Sequence, residues 1–372
     1  MATQQQNIGE VLQFFNEARR PVKSSDRVPG PFPYLGASGT VDYVEGFTHE
    51  GSYLCVSEDG ANLLTRSLPI AWVQDGKFWA NNHLQVLGGV SREHLTFFRY
   101  AIESTNIAAY VTGSAQPKLS KASLSSVQVP KFSRGEEERI GKLLSAIDDK
   151  IVANQTSISK IDEILRALWQ KELSLGSIDV PLSSLASFIN GKAFTKGASG
   201  TGRVVVRIAE MNSGIGSRTI YSDIDAAPDN VVDPGELLFS WSGTLMTKRW
   251  PYDQAIVNQH IFKAVPNGQL DLWALRQAID AQLEYFQMIA AGKATTMGHI
   301  KRGDLDQEVE VPAQMSEETN QLGNSLWRLA TSLEIQNLQL ARTRDELLPL
   351  LMSGRITVGE AEDAADEAAS ES

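Results

Sequence analysis

The feature that most constrains this chain is an apolar repeat between Glu136 and Leu173. Ile140, Leu144, Ile147, Ile151, Ile158, Ile161, Leu165 and Leu168 recur in alternating steps of four and three, with only Asn154 polar in the series. That is a heptad seam, and it predicts a helix built to lie along another helix. A second series lies 182 residues further on: Leu322, Leu326, Leu329, Leu333, Gln336, Leu340, Thr343, Leu347 and Leu350. Its amide, Gln336, falls where Asn154 does. Run head to tail, the two predict an antiparallel coiled coil in which paired numbers total 490, so that Ile140 meets Leu350, Leu168 meets Leu322 and Asn154 faces Gln336. A polar pair in an apolar seam costs stability but penalises slipped registers, because a slip buries each amide against leucine. The seam is roughly 43 Å long at about 1.5 Å per residue. One such helix alone fits any helical hairpin; two matched seams one period apart fit a duplicated chain.

The repeat extends beyond the helices. Phe14-Phe15-Asn16 matches Phe188-Ile189-Asn190, and YLCVSEDG (Tyr53 to Gly60) matches ELLFSWSG (Glu236 to Gly243), a buried strand running into a Gly turn. Asn81-Asn82-His83 matches Asn258-Gln259-His260, and GSAQPKLSKASLSSVQVP (Gly113 to Pro130) parallels GKATTMGHIKRGDLDQEVEVP (Gly292 to Pro312). Strands are expected at Val204 to Ile208, Leu237 to Ser240 and Ile261 to Val265, and amphipathic helices at Leu95 to Ser104 and Leu272 to Ile289. Ile8 to Asn16 and Leu182 to Asn190 read as short helices or helix-to-strand transitions. Pro130 and Pro312 close strand ends, and acidic residues then open each long helix, where the positive end of the helix dipole favours them. The expected division is 1–133 and 177–314 as globular halves, 134–176 and 315–355 as long helices, and 356–372 as an acidic disordered tail. The fold class is α+β, with two tandem mixed α/β domains and an antiparallel helix pair.

Composition excludes more than it selects. A single cysteine, Cys55, rules out an internal disulfide and makes a thiolate zinc site untenable; in its apolar run it reads as a buried thiol. No signal peptide and no run of 18 apolar residues is seen, so a cytoplasmic location is expected. The net charge of −11 argues against nucleic acid at first sight, but 6 acidic residues and no basic one lie after Thr357. Residues 1–135 carry 12 basic and 11 acidic side chains, so charge does not decide the matter.

No phosphate loop, nucleophile elbow or zinc-protease helix is present. The glycine-rich stretch Gly197 to Gly202 reads as a flexible loop. His83 and His260 hold equivalent places without metal-spaced partners and read as structural, so no metal is expected. What remains is cations and polar side chains at matching places: Arg66, Gln116, Lys118 and Lys121 in the first half, and Lys192, Lys196, Lys248, Arg249, Lys293, Thr295, Thr296, Lys301 and Arg302 in the second. Lysine and arginine supply phosphate contacts, and the amide and hydroxyls can reach base edges or phosphates.

The order of PYLGASGTVDY, GSAQPKL leading to VQVP, EEERIGKLLSAIDDKI, KIDEILRALWQKEL, DPGELLFSWSGT and NQHIFKAVP resembles the DNA-specificity (S) subunit of type I restriction–modification enzymes over nearly the whole chain except the acidic tail. The resemblance implies two target-recognition domains, each reading one half of a bipartite, asymmetric sequence in double-stranded DNA. The helices would set the spacing and dock two methyltransferase (modification) subunits. S-adenosylmethionine would then be bound by those partners, and ATP and Mg by any restriction subunit, with no catalysis and no cofactor on this chain. The alternative is a protein-binding scaffold with a coiled-coil rod and no DNA role, which the acidic total favours. Co-purification with nucleic acid and a methyltransferase separates the two.

Overall fold

Among the described residues, ten strands in the first half of the chain are followed by ten in the second that pair in the same order. A computed structural model of the protein describes residues 4–113, 115–292 and 298–370. The chain divides into two units, Met1–Ile151 with Gln339–Glu371, and Val152–Leu338.

In the first unit, β1 (Gln5–Asn7) pairs with β10 (Gln128–Pro130). β2 (Gln13–Phe14), β9 (Leu84–Gly88), β6 (Tyr53–Ser57) and β7 (Ala71–Gln74) form one antiparallel sheet in that order. β4 (Gly39–Val44), β3 (Pro29–Gly36), β8 (Lys77–Ala80) and β5 (His49–Glu50) form another, in which β3 and β8 run parallel. The short helix Ile8–Val11 leads into β2, as expected for that stretch. Helix Arg92–Ser104, capped by the Ser91 hydroxyl, buries Leu95, Phe97, Phe98, Ala101 and Ile102 in the core with Leu54 and Val56 of β6. Cys55 is fully buried, and desolvation pushes its thiol far up from the ordinary range.

The second unit repeats this strand for strand. β11 (Ser177–Pro181) pairs with β20 (Glu308–Pro312). β12 (Ala186–Asn190), β19 (Ile261–Pro266), β16 (Leu237–Ser240) and β17 (Met246–Arg249) form the antiparallel sheet. β14 (Tyr221–Ser222), β13 (Arg203–Val206), β18 (Ala255–Val257) and β15 (Val231–Val232) form the mixed one, again with its parallel pair, β13 and β18, at the centre. Helix Leu272–Gly292 is the counterpart of Arg92–Ser104. The strand expected at Val204 to Ile208 stops at Val206, because Arg207 caps a short helix, Ile208–Ser213, by pairing with Glu210.

The long helices are Arg134–Leu175 and Glu317–Met352, and within each unit their segments pack together in antiparallel order. Within the first unit, Ile140 and Leu144 share a core with Leu347 and Leu351, and Asp148 accepts from Arg344 at 2.9 Å. Within the second, Asn154 Nδ2 donates to Gln336 Oε1 at 2.7 Å and to Asn337 Oδ1 at 2.9 Å, so the predicted polar pair forms. Leu322, the partner expected for Leu168, is not buried. Leu322 and Leu329 are 47% and 50% exposed, while Trp327 and Ala330 take the buried face with Ile161, Leu165 and Trp169. The physical reason is that this helix covers a domain core as well as its partner helix, which calls for a broad apolar face rather than a two-position seam. Glycine marks where each domain helix approaches. A Cβ on Gly141 would meet the Glu93 carbonyl oxygen, and one on Gly323, 182 residues later, the Trp273 ring. Inside a helix such a residue costs about 1 kcal/mol relative to alanine, a cost this close packing offsets.

The acidic segment read from composition as disordered is helical over Val358–Ser370. Thr357 and Glu360 cap it reciprocally, and Val358 and Ala361 are buried in the first unit's core, with Arg139 3.6 Å from Glu362. Alanine-rich composition and two apolar residues three apart suffice for one anchored helical face, which a charge count does not register.

Candidate nucleic-acid interface

Three of the cations singled out in the sequence are used inside the protein. Arg249 sits on edge strand β17 with its side chain 1% exposed, bonded through Nε and Nη2 to Glu334 at 2.8 and 3.0 Å and lying over the Trp327 ring. A guanidinium held this way is not available to phosphate. Lys248, its neighbour, donates Nζ to the Met211 carbonyl at 2.7 Å, and burial depresses its pKa. Arg66 adopts a left-handed conformation (φ 51°) and grips the Glu103 carboxylate at 2.9 Å. Each of these three charges, Arg66, Lys248 and Arg249, thus holds two parts of one unit together, which sets them apart from the expected DNA contacts that lie on the surface. Strand alternation explains Lys248 and Arg249, since two adjacent residues on a covered edge strand both find partners there.

Lys293, Thr295 and Thr296 lie outside the described residues. The others are on the surface: Gln116, Lys118 and Lys121 in the first unit, and Lys192, Lys196, Lys301 and Arg302 in the second. Lys118, 54% exposed, reaches Glu58 at 3.2 Å, and Lys121 lies near the Phe14 ring. Lys121 and Arg302 open equivalent turns, Lys121–Ser125 and Arg302–Asp306. Arg302 lines an open groove of about 750 Å³ with Ser187, Ile189, Asn190 and Asp306.

Those turns follow a corner that the backbone builds identically in both units. After β6, the Glu58 N–H donates to the His83 carbonyl (3.0 Å), and the Glu58 carbonyl accepts from the Leu119 N–H (2.7 Å). The Gly60 N–H donates to the Pro117 carbonyl, also at 3.0 Å. After β16, Trp241 makes the same two bonds with His260 (3.1 Å) and Ile300 (3.0 Å), and Gly243 bonds Gly298 (3.0 Å). Isolated bridges join Asp59 to Lys118 and Ser242 to His299. Lys192 borders the second corner, its carbonyl accepting from the Gln259 N–H, and Lys301 directly follows Ile300.

The side chains on this common frame differ. In the first unit Glu58 accepts from Arg19 at 2.6 Å, and Asp59 accepts from His83 Nδ1 at 2.7 Å. In the second, the Trp241 ring lies 4.9 Å from His260, 5.9 Å from Phe262 and 6.4 Å from His299, and its Nε1 donates to Asn190 Oδ1 at 2.8 Å. His260 holds a left-handed φ of 76°, uncommon for a side-chain-bearing residue and of the kind that surrounding contacts must enforce. Sequence reasoning passed over Trp241, His299 and Arg19. The signal was the alignment of the two repeats itself, which sets Glu58 against Trp241 inside matching strand-to-turn motifs.

Among the described residues no group of three or more His, Cys, Asp or Glu is placed to hold a metal, and no helix is long and apolar enough to cross a membrane.

Comparison with known proteins agrees with this geometry. Residues 3–163 match the family described as type I restriction modification DNA specificity domain. Over 140 residues the chain is 39% identical to a Haemophilus influenzae protein bearing the name of a type I restriction enzyme specificity subunit, covering 38% of this chain and 36% of that one. The match thus spans about a third of that relative's length. The crystal structure of a type I restriction-modification system S subunit from M. genitalium superposes with a TM-score of 0.64 at 14% identity, covering 94% of this chain and 96% of that one, and so shares its fold.

Proposed function

We propose that the chain is a type I restriction–modification DNA-specificity (S) subunit, as the family match over residues 3–163 and the shared fold support, and that it recognises a DNA target within a restriction–modification complex. Each unit reads one half of a bipartite, asymmetric sequence. The long helices act as the spacer between the two readings and as the docking surface for two methyltransferase subunits, which carry the S-adenosylmethionine chemistry.

The observation that carries this reading is the strict repetition of topology with unlike corners: among the described residues ten strands pair in one order twice, yet the side chains at equivalent turns differ, with exposed Lys118 in one where exposed His299 stands in the other. A symmetric target would call for like corners. The spacer role is supported by the two continuous helices, each of which begins in one unit and ends in the other. Docking is supported by apolar side chains that these helices leave uncovered within the second unit, namely Val152, Ile164, Leu322 and Leu329, between 46% and 59% exposed. Apolar residues in that number on a solvent-facing rod suit a protein partner. The acidic total of −11 leaves much of the phosphate contact to basic partners, so the isolated chain binds DNA weakly and the assembled complex binds it strongly.

The test is salt dependence. Replacing Lys301 and Arg302 by alanine in the assembled complex removes two phosphate contacts, and the slope of log affinity against log salt flattens by about 2. An unaltered slope removes both residues from the interface. Nanomolar, sequence-specific binding by the isolated chain at physiological salt contradicts the shared-contact scheme.

A further inference from the structure

We infer that the corner where the turn after β6 meets the β8–β9 turn, and its counterpart after β16, are where the two units discriminate bases, through His83 oriented by Asp59 in the first unit and Trp241 backed by His260 in the second. The inference rests on the DNA-reading role proposed above and names the residues and the chemistry of that reading.

Three features of the corners carry it. Each turn is tied by three backbone hydrogen bonds to the β8–β9 or β18–β19 turn and to the segment before the last strand, so its side chains project from a fixed frame. Preorganisation of that kind is what discrimination at sub-ångström tolerance requires. Further, the frame is common to both units and keeps a histidine, His83 or His260, while the side chains around it change: buried Glu58 for half-buried Trp241, half-buried Asp59 for buried Ser242, exposed Lys118 for exposed His299, and Ser120 for Lys301. A fixed backbone with exchanged side chains is how one scaffold reads two unlike sequences. Finally, exposed cations border the same corners, Lys118 and Lys121 in one and Lys192 and Lys301 in the other, placing phosphate-binding groups beside them.

The two chemistries point to different bases. With Nδ1–H committed to Asp59, the half-exposed His83 ring offers its other nitrogen, Nε2, for a hydrogen bond with a base edge. Trp241 has no such donor left, because Nε1 is spent on Asn190. The ring is half-buried against the domain core, so what it has left to offer is apolar surface, and in the major groove the apolar group is the thymine methyl. The left-handed His260, tilted at 54° against that ring, together with Phe262, fixes its plane. The first unit therefore selects through a hydrogen bond, and the second through a methyl contact.

The experiment uses the assembled S–methyltransferase complex and a pool of randomised duplexes. In His83→Ala and in Trp241→Ala, base preference falls roughly tenfold at one or two positions, in one half-site for the first variant and in the other half-site for the second. Both variants relaxing the same half-site, or neither relaxing any, overturns the inference. A probe that needs no substitution guards against a misfolded tryptophan variant. Replacing each thymine of the preferred target in turn by deoxyuridine, which lacks only the methyl, lowers wild-type binding several-fold at one position, and Trp241→Phe retains that sensitivity. Indifference of the wild-type complex to every such replacement sinks the methyl contact. A wild-type complex with no base preference at all instead refutes the DNA-reading role, whereas a bipartite preference that neither variant alters refutes only the residues named here.

Discussion

Each unit is fastened to the long helices by a charged joint, and the two joints have opposite polarity. In the first unit the centre is an acid: Asp148, on the first long helix, accepts from Arg99 and the Tyr100 hydroxyl, each at 2.5 Å, and from Arg344 of the second long helix at 2.9 Å. In the second the centre is a base: Arg249, on edge strand β17, is clasped by Glu334 of the second long helix and lies 3.6 Å from Asp162 of the first. Asp162 in turn holds Arg276 of the domain helix at 3.1 Å. Both joints tie one domain to both helices through an arginine of the domain helix bound to an aspartate of the first long helix, yet the second long helix brings a base, Arg344, to one and an acid, Glu334, to the other. Topology fixes where a polar joint must exist, because two helices and a domain surface meet there with little water. It leaves open which partner brings which sign.

The most direct way to break the comparison is Arg249→Ala. If the arginine is the centre of a buried joint, its removal leaves Glu334 and Asp162 without their main partner and strips the Trp327 ring of its covering cation, costing about 3 kcal/mol. Urea unfolding of the chain, followed by tryptophan fluorescence, reads this directly. A loss under about 1 kcal/mol means that the guanidinium is not structurally committed, and returns it to the candidates for phosphate contact.

A smaller effect is expected from Asp148→Asn, because the aspartate is partly exposed and its amide replacement still accepts hydrogen bonds. The expected loss at neutral pH is about 1–2 kcal/mol. Its pH dependence is the sharper readout. Burial pushes the Asp148 carboxyl up, but Arg99, Tyr100 and Arg344 together outweigh burial and hold it below the ordinary aspartate value. A depressed folded value means that the ion's contribution is complete above the unfolded aspartate range and is lost as pH falls through the folded value. Wild type and Asp148→Asn therefore differ most near neutrality and converge in acid, below about pH 4. A gap that persists unchanged to pH 2 assigns the effect to packing.

The contrast between joints and helices also shows what the sequence made readable. Asn154 and Gln336 were legible because a polar residue interrupting a heptad has few explanations, and its partner had to be the other interruption. The strands at Leu237 to Ser240 and Ile261 to Pro266 were legible from buried β-branched and aromatic runs. Arg249 was not, since an arginine on a polar-looking strand carries the same letters whether it faces phosphate or Glu334. Only the three-dimensional meeting of β17 with the second long helix decides. Trp327 and Ala330 were missed for a related reason: a heptad count assumes one partner, and this helix has two. At the candidate site, the exposed cations at the turn openings were found, but Trp241 and His299 were passed over because the reading searched for charge and catalysis rather than for differences between matched repeats.

The mildest change sharpens the comparison at the polar pair that the two long helices form within the second unit. Asn154 is buried and bonded to Gln336 and Asn337, so replacing both Asn154 and Gln336 by leucine substitutes apolar contact for a desolvated amide pair. The double variant is expected to gain about 0.5–1 kcal/mol. Asn154→Leu alone should lose about 1 kcal/mol, because the Gln336 and Asn337 acceptors then face a methyl group. Stability measured for the two singles and the double in one cycle gives the coupling energy directly. If the joints alone hold the register, the double variant's complex methylates the same bipartite target with its spacing unchanged. If the amide pair does that work, the leucine variant tolerates targets with one base pair more or fewer between the half-sites, although its fold is the more stable one.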